Sequence, residues 1–283
     1  SSCWGCNQSL LNAHLSLLHV LPELEVVYWP AVVDFKLDSL KARPDKSVDV
    51  GFLEGLLRTE ADVANAKLIR DKCKIVVALG SCPTYGSVAG LANLYPIKDL
   101  IQRKFEDSQY NDSGMKLPSH HVPKILDSIP DIHKIVKIDV DLPGCPPVPG
   151  HIVGLVAAVL GEVGTKVDTT KSMCDVCPLQ TCLLDQDKIC YGPITAVGED
   201  IGAIAKGYPV LGEFGLTNKV NAEKAAKLLN KMTANPMSRE DIKKTVEALL
   251  MLLAGPVPLG FMSGKNDPIR QAKLNPDNLK VKK

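Results

Sequence analysis

The stretch KIVVALGSCPTYG, residues 74–86, sets the interpretation of the rest of the chain. Its first half is a continuous apolar run, rich in β-branched residues and ended by glycine, which is typical of a buried parallel strand. Cys82 follows directly, and a second such run, KIVKIDV at residues 134–140, leads in the same way to Cys145 in DLPGCPPVPG. Because α/β sheets bind ligands at the carboxyl ends of their strands, we expect both thiols at that edge.

Strand and helix patterns alternate over the first part of the chain. Strands are predicted at residues 25–29, 48–53, 74–79 and 135–140, and helices at 10–21, 59–73 and 151–163. Thr59 and Asp62 have the spacing of a capping box at the start of the second of these helices. The alternation predicts an α/β fold with a flavodoxin-like, doubly wound parallel sheet.

The sequence changes character near residue 165. Residues 168–215 are rich in Cys, Gly and Pro with weak periodicity, helices are predicted at 221–232 and 239–253, and a polar, lysine-rich tail follows. We therefore predict two domains: residues 1–165, the flavodoxin-like part, and residues 166–283, an irregular and helical part. Folding of the second domain is expected to depend on a bound metal.

Size and charge exclude several classes of function. Of the 283 residues, 45% are apolar, which argues against wholesale disorder. The 33 basic residues are balanced by 32 acidic ones, so the sequence lacks the concentrated basic surface of a nucleic-acid-binding protein. We see no signal peptide and no apolar stretch suited to crossing a bilayer, and expect a soluble, cytoplasmic protein. Cys3 comes so early that we expect a first strand to precede its loop.

The nine cysteines fit a reducing compartment, where metal ligation explains clustered thiols better than disulfides do. One set combines Cys3 and Cys6 of CWGC with Cys82 and Cys145, four thiols from three loops. This set suits a four-iron cluster, which takes one thiolate at each iron. Zinc and unrelated structural cysteines are the alternatives. Cys73, alone at a helix end, is interpreted as a core thiol.

A second set of thiols lies close together in the sequence. Cys174, Cys177, Cys182 and Cys190 form the pattern C-x2-C-x4-C-x7-C, which can close around one metal centre. Spacing alone leaves zinc open. The presence of the first set favours a second iron–sulfur cluster, because electron carriers occur in chains.

Five segments in this order resemble the small subunit of nickel–iron hydrogenases, in particular its soluble methyl-viologen-reducing and sulfhydrogenase-like types. They are SCWGC (2–6), VDVGFLEG (48–55), KIVVALGSCPTYGSVAGL (74–91), PGCPP (143–147) and CLLDQDKICYGPIT (182–195). The resemblance implies that the first set binds a proximal [4Fe-4S] cluster facing a nickel–iron centre in the large subunit. It implies a further [4Fe-4S] cluster on the second set. Glu54 is expected either to assist electron or proton movement or to cap the helix at residue 59.

The sequence departs from this family after Cys190, because no cysteine follows it. We therefore expect the middle cluster of the family to be absent. The resemblance implies an electron-relay subunit of a hydrogenase-type oxidoreductase. Its expected partners are the large subunit and an acceptor: heterodisulfide reductase, or a nicotinamide- or deazaflavin-linked module. Two alternatives remain: a relay subunit of a hydrogenase-like complex that no longer binds nickel, and a zinc-stapled α/β binding module.

Overall fold

The computed structural model describes residues 1–33, 36–112, 117–159, 170–198 and 201–232. The predicted helix at 239–253, the lysine-rich tail and the predicted domain boundary at residue 165 lie outside these residues. No helix in the described ranges is long and apolar enough to cross a membrane.

The described residues form three strands and ten α-helices. The strands are β1 (Val48–Glu54), β2 (Cys73–Leu79) and β3 (Val140–Leu142). The helices are α1 (Gly5–Leu11), α2 (Leu15–Val20), α3 (Leu37–Ala42), α4 (Glu60–Lys72), α5 (Ser81–Tyr85), α6 (Ser87–Gly90), α7 (Ile97–Ile101), α8 (Pro149–Val159), α9 (Ile201–Ala205) and α10 (Ala222–Met232). Short 3-10 turns cover Leu21–Glu23, Leu91–Leu94, Ile132–Lys134, Met173–Asp175 and Leu183–Gln186, and a π turn covers Gln102–Glu106.

The sheet is parallel, with strand order β1-β2-β3. At its carboxyl edge, Leu79 pairs with Glu54 on one side and with Leu142 on the other. The three strands therefore end level with one another, and the loops that follow them start side by side. This register is what brings distant cysteine loops together.

Helices cover both faces of the sheet. On one face, Leu79 and Leu142 pack with Ile152 of α8 and Leu10 of α1. On the other face, Ala66 of α4 packs in a cluster with Leu57, Ile132 and Val136. Leu53 of β1 packs against this cluster. Because side chains of a strand alternate between faces, the two clusters are separate. The predicted α/β fold with a doubly wound parallel sheet is confirmed.

Helix α4 is held at its start as the sequence predicts. The Thr59 hydroxyl accepts a hydrogen bond from the Asp62 amide (3.2 Å), and the Asp62 carboxylate accepts one from the Thr59 amide (2.8 Å). These two bonds satisfy amide groups that the first turn of a helix leaves free. The predicted capping box is confirmed.

Three predicted elements differ from the structure. Residues 25–29 belong to no helix or strand, and the predicted helix at 10–21 is two helices, α1 and α2, separated by a turn. The strand predicted at 135–140 starts only at Val140. The apolar residues before it, including Val136, pack against α4 instead, so tertiary packing overrides the strand pattern.

The region after residue 170 forms a small core of its own. Met173, Ile204 and Val210 are buried together, and partly buried Cys177 and Cys190 pack against them. Isolated bridges join Ser172 to Ala196 and Thr195 to Leu216 rather than forming a sheet. The predicted irregular and helical character is observed in this part of the chain.

Candidate metal centres

The loops after β2 and β3 are joined directly at the sheet edge. The Ser81 amide donates to the Gly144 carbonyl (2.9 Å), and the Gly144 amide donates to the Ser81 hydroxyl (2.9 Å). Each of these residues precedes a cysteine in the sequence. The paired bonds therefore hold Cys82 and Cys145 next to each other.

Two glycines are required where these loops turn. Gly80 has φ +94° and Gly144 has φ +141°, conformations that residues with a Cβ rarely adopt. A Cβ on Gly80 would overlap the Cys6 sulfur, and one on Gly144 would overlap the backbone of Pro147. Glycine thus allows the CWGC loop to approach the end of β2.

Helix α1 places the CWGC thiols over the same edge. Cys6 and Leu10 pack against Leu79 and Leu142, the last residues of β2 and β3. The buried Ser9 hydroxyl donates to the carbonyl of Pro147 (2.5 Å), in the loop that contains Cys145. The structure therefore brings all four thiols of the first set together.

Burial and neighbouring negative charge both raise the pKa values of Cys6 and Cys82. Burial raises the pKa of Cys6, and the carboxylate of Glu54 raises it further. Burial, followed by the neighbouring Cys145 and Cys3 thiols, raises the pKa of Cys82 to about 11. Thiols in such surroundings stay protonated unless a metal stabilises the thiolate. The first set is therefore suited to a metal centre and unsuited to free thiolates.

Glu54 lies at the end of β1 and belongs to this site. Its carboxylate accepts hydrogen bonds from the Ser2 hydroxyl and the Asn7 amide group. The indole of Trp29 in turn donates to the Asn7 side-chain oxygen (2.6 Å). The α4 cap is formed by Thr59, so these contacts assign Glu54 to the cysteine loop rather than to the cap. No sequence pattern indicates that Asn7 bonds to Glu54 or that Trp29 bonds to Asn7.

Turns and caps position the second set of thiols. Cys174 lies in the 3-10 turn Met173–Asp175, which opens with a capping box between Ser172 and Asp175. Cys182 is the residue that precedes the 3-10 turn Leu183–Gln186. A Cβ on Gly192 would lie 3.5 Å from the sulfurs of both Cys174 and Cys190, so these two thiols border the same space.

Electrostatic interactions show that this set, too, is gathered in one place. Burial raises the pKa of Cys174 to about 12, while Lys224 acts to lower it. The other thiols that interact with Cys174 are Cys190, Cys182 and Cys177. The structure thus brings together the four cysteines of each predicted set.

Helix α10 lies beside the second set and presents lysines to it. Lys227 pairs with Asp185 (3.1 Å) and Lys231 with Asp187 (2.5 Å), both in the loop between Cys182 and Cys190. Lys224, Lys227 and Lys231 share one helix face because they are three and four residues apart. This spacing is visible in the sequence, although only the structure shows what the lysines face.

Neither set has the arrangement of a single-ion site. Across the described ranges, no group of three or more His, Cys, Asp or Glu side chains could hold one metal ion. A four-iron cluster takes its thiolates at four separate irons, so its ligands need not converge on one point. Cys73 lies at the opposite end of β2 from the first set and is 2% exposed, in agreement with a core thiol.

Comparison with known proteins identifies the family. The family model described as NADH ubiquinone oxidoreductase, 20 Kd subunit, matches residues 3–159, which include the whole first set. This chain belongs to that family. A relative from Methanocaldococcus jannaschii, one of the subunits of its F420-non-reducing hydrogenase vhu, is 34% identical over 237 residues, covering 77% of this chain and 80% of the relative.

Two further matches are to NAD-linked hydrogenases. The delta subunit of the NAD-reducing hydrogenase HoxS of Cupriavidus necator is 31% identical over 148 residues, covering 51% of this chain and 68% of its own. A chain in the crystal structure of an NAD+-reducing [NiFe]-hydrogenase in the H2-reduced state superposes with a TM-score of 0.52 at 25% identity. That match covers 58% of this chain and 89% of the other. The predicted resemblance to hydrogenase small subunits is confirmed.

Proposed function

We propose that this chain is the electron-relay subunit of a nickel–iron hydrogenase complex and carries two [4Fe-4S] clusters. The observation that carries the proposal is the meeting of Cys3, Cys6, Cys82 and Cys145 at the carboxyl edge of the parallel sheet. Three separate loops converge there although no disulfide links them. Family membership and the hydrogenase relatives support the same conclusion.

Each cluster would be held by one set of thiolates, and when bound it supplies one-electron transfer. The first set would hold the proximal cluster, and Cys174, Cys177, Cys182 and Cys190 the second. Buried thiols with raised pKa values favour this, because bound iron supplies the positive charge that stabilises their thiolate form. Folding of the second region would be coupled to cluster binding.

The exposure of the first set supports contact with a large subunit. Cys3 and Cys145 are exposed, whereas Cys6 and Cys82 are half-buried. Trp4, between the two CWGC cysteines, is 56% exposed, and aromatic side chains of this kind are enriched at protein–protein interfaces. We propose that the large subunit covers this face and contains the catalytic nickel–iron site. An acceptor subunit would receive electrons from the second cluster, in the reducing environment of the cytoplasm that nine free cysteines favour.

The test separates hydrogen activation from electron transfer in the purified complex. In Cys145→Ser, reduction of an artificial acceptor dye by hydrogen should be lost, because the first cluster no longer assembles. Exchange of hydrogen with deuterated water should persist, because the large subunit alone performs it. Unchanged dye reduction with unchanged iron content would show that Cys145 holds no cluster. The relay assignment would then fail.

A second candidate is supported by one feature of the sequence. No cysteine follows Cys190 in this sequence, where the resemblance would place the ligands of a middle cluster. This favours a relay subunit of a hydrogenase-like complex whose large subunit no longer binds nickel. Nickel analysis of the complex discriminates the two: absence of nickel and of hydrogen uptake, with both clusters reducible by another donor, would support the second candidate.

A further inference from the structure

The hydroxyl of Ser81 lies where three parts of the chain meet. It accepts a hydrogen bond from the Gly144 amide (2.9 Å) and donates to the backbone carbonyl of Glu213. The Tyr85 hydroxyl lies 2.8 Å from it. Ser81 is 1% exposed, so these groups replace water as its partners. One buried oxygen thus joins both sheet-edge loops to a segment far along the sequence.

Tyr85 strengthens the same attachment from the other end of α5. Its hydroxyl lies 3.0 Å from the Gly212 carbonyl and also contacts the Glu213 carbonyl. A Cβ on Gly215 would come within 3.1 Å of the Tyr85 ring, so backbone and ring are in close contact there. Two hydroxyls on α5 therefore hold two successive carbonyls of one segment.

The other end of this segment belongs to the second thiol set. The Val210 carbonyl accepts a hydrogen bond from the Tyr191 amide (2.9 Å), directly after Cys190. Val210 is buried with Met173, which precedes Cys174. Residues 210–213 therefore bond at one end to Ser81, which precedes Cys82, and at the other end to Tyr191, which follows Cys190.

We propose that Ser81 and Tyr85 are positioning residues whose hydroxyls hold the second thiol set at a constant distance from the first. We call this pair of residues the latch. The proposal rests on the proposed function for its purpose. Direct electron transfer between the two proposed clusters would require a fixed distance between them. Among the described residues, segment 210–213 is one short link between the two sets.

Hydrogen exchange tests the latch without reference to any cluster. In Ser81→Ala, the Gly144 amide loses its acceptor, and its exchange should become about fivefold to tenfold faster, as expected for one lost hydrogen bond. The Tyr191 amide should also exchange faster, because its acceptor segment is no longer anchored. Tyr85→Phe removes one oxygen and leaves the ring in place, so it should speed exchange at Tyr191 but not at Gly144.

The control is Ser87→Ala, which truncates another buried serine near the same loop. Ser87 is 2% exposed, and no hydrogen bond of its side chain is recorded in the part of the chain that the structure describes. Exchange at both amides should stay at the wild-type rate. If the Tyr191 amide exchanges at the wild-type rate in both Tyr85→Phe and Ser81→Ala, the latch does not exist.

Magnetic coupling between the reduced clusters tests the purpose of the latch in the complete complex. Wild type should show a dipolar splitting in its paramagnetic resonance spectrum, and Tyr85→Phe should weaken it while iron content stays unchanged. Clusters present with the same splitting in both proteins would overturn the positioning role. Clusters absent from the wild type would refute the proposed function instead, and the exchange rates would still decide the latch.

Discussion

The two thiol sets differ in the charged groups that act on their cysteines. After burial, Glu54 is the strongest influence that raises the pKa of Cys6, and Glu213 contributes at Cys145. In the second set, burial raises the pKa of Cys174, but Lys224 acts against it. Carboxylates therefore act on Cys6 and Cys145 of the first set, although the N-terminal amine acts in the other direction at Cys82. At the second set, Lys227 and Lys231 are paired with Asp185 and Asp187, so Lys224 is the lysine that acts on Cys174.

For clusters bound as proposed, this difference predicts a difference in reduction potential. Four thiolates make a cubane cluster anionic, so a neighbouring carboxylate disfavours an added electron and a neighbouring ammonium favours one. We therefore expect the first cluster to have the lower reduction potential. With clusters bound as proposed, we expect electrons to move from the first cluster, beside the expected large subunit, to the second.

We expect the largest loss of iron from variants that each remove one cysteine ligand, either from the first set or from the second. Cys145→Ser should lose the first cluster and keep the second, and Cys174→Ser should do the reverse, so each variant retains about half of the iron. Iron and sulfide analysis with paramagnetic resonance measures this. The variant Cys73→Ser, which changes a core thiol, should retain all of the iron. Loss of both clusters in either variant would show that the two sites do not form independently.

A matched pair of glycine substitutions contrasts the packing of the two sets. Gly80→Ala should prevent the first cluster from forming, because the new Cβ would overlap the Cys6 sulfur and because φ is +94°. Gly192→Ala should be tolerated, because its Cβ would meet both neighbouring sulfurs at 3.5 Å, an ordinary contact. Iron content checks both variants. Equal loss of iron would mean that the second set is packed as tightly as the first.

Charge removal tests the potential difference directly. Glu54→Gln should raise the potential of the first cluster and Lys224→Gln should lower that of the second, each by about 40 mV, equivalent to about 1 kcal/mol. Lys98→Gln, an exposed lysine on α7, serves as the control and should move neither. Redox titration followed by paramagnetic resonance measures these shifts. Shifts of the opposite sign would reverse the expected direction of electron flow.

The smallest effect concerns a histidine near the first set. His133 lies 2.9 Å from Asp131 and 3.0 Å from Asp141, and hydrogen bonds to these two carboxylates raise its pKa to about 9. Since the ordinary value is 6.5, its charge stabilises the fold fully below that pH, and the stabilisation disappears as the pH rises through 9. Its partner Asp131 lines the same small cavity as Cys82.

The corresponding variant is His133→Gln. Its unfolding free energy at pH 6 should fall by about 1 kcal/mol or less, because the ring is a third exposed and solvent screens the pair. Near pH 10 it should match the wild type. Thermal unfolding across this pH range measures the difference. An equal deficit at both pH values would indicate lost packing rather than lost charge.

Sequence patterns predicted those parts of the molecule that depend on local order. β1, β2 and α4 follow directly from apolar runs and a capping box, and both thiol sets follow from cysteines placed after strands or in close succession. Residues 25–29 have the composition of a strand, but Trp29 is engaged with Asn7 instead. Residues 135–138 pack into the α4 core, so their apolar pattern predicted burial correctly and sheet pairing wrongly.

The rest depends on contacts between segments far apart in sequence. Ser81 and Tyr85 stand in the GSCPTYG motif, yet nothing in the motif indicates that their partners are the carbonyls of Gly212 and Glu213. The lysines of α10 have a visible spacing, but their orientation toward the second set requires the tertiary structure. Hydroxyls and surface charges find their partners through the fold, so local patterns cannot reveal them.

Metal and sulfide analysis of the purified protein, combined with low-temperature paramagnetic resonance, tests the two-cluster assignment most directly. We expect about eight irons and eight acid-labile sulfides per chain, and two cubane signals after reduction. A colourless protein that contains zinc and no labile sulfide would contradict the assignment and show that these cysteines serve a structural site.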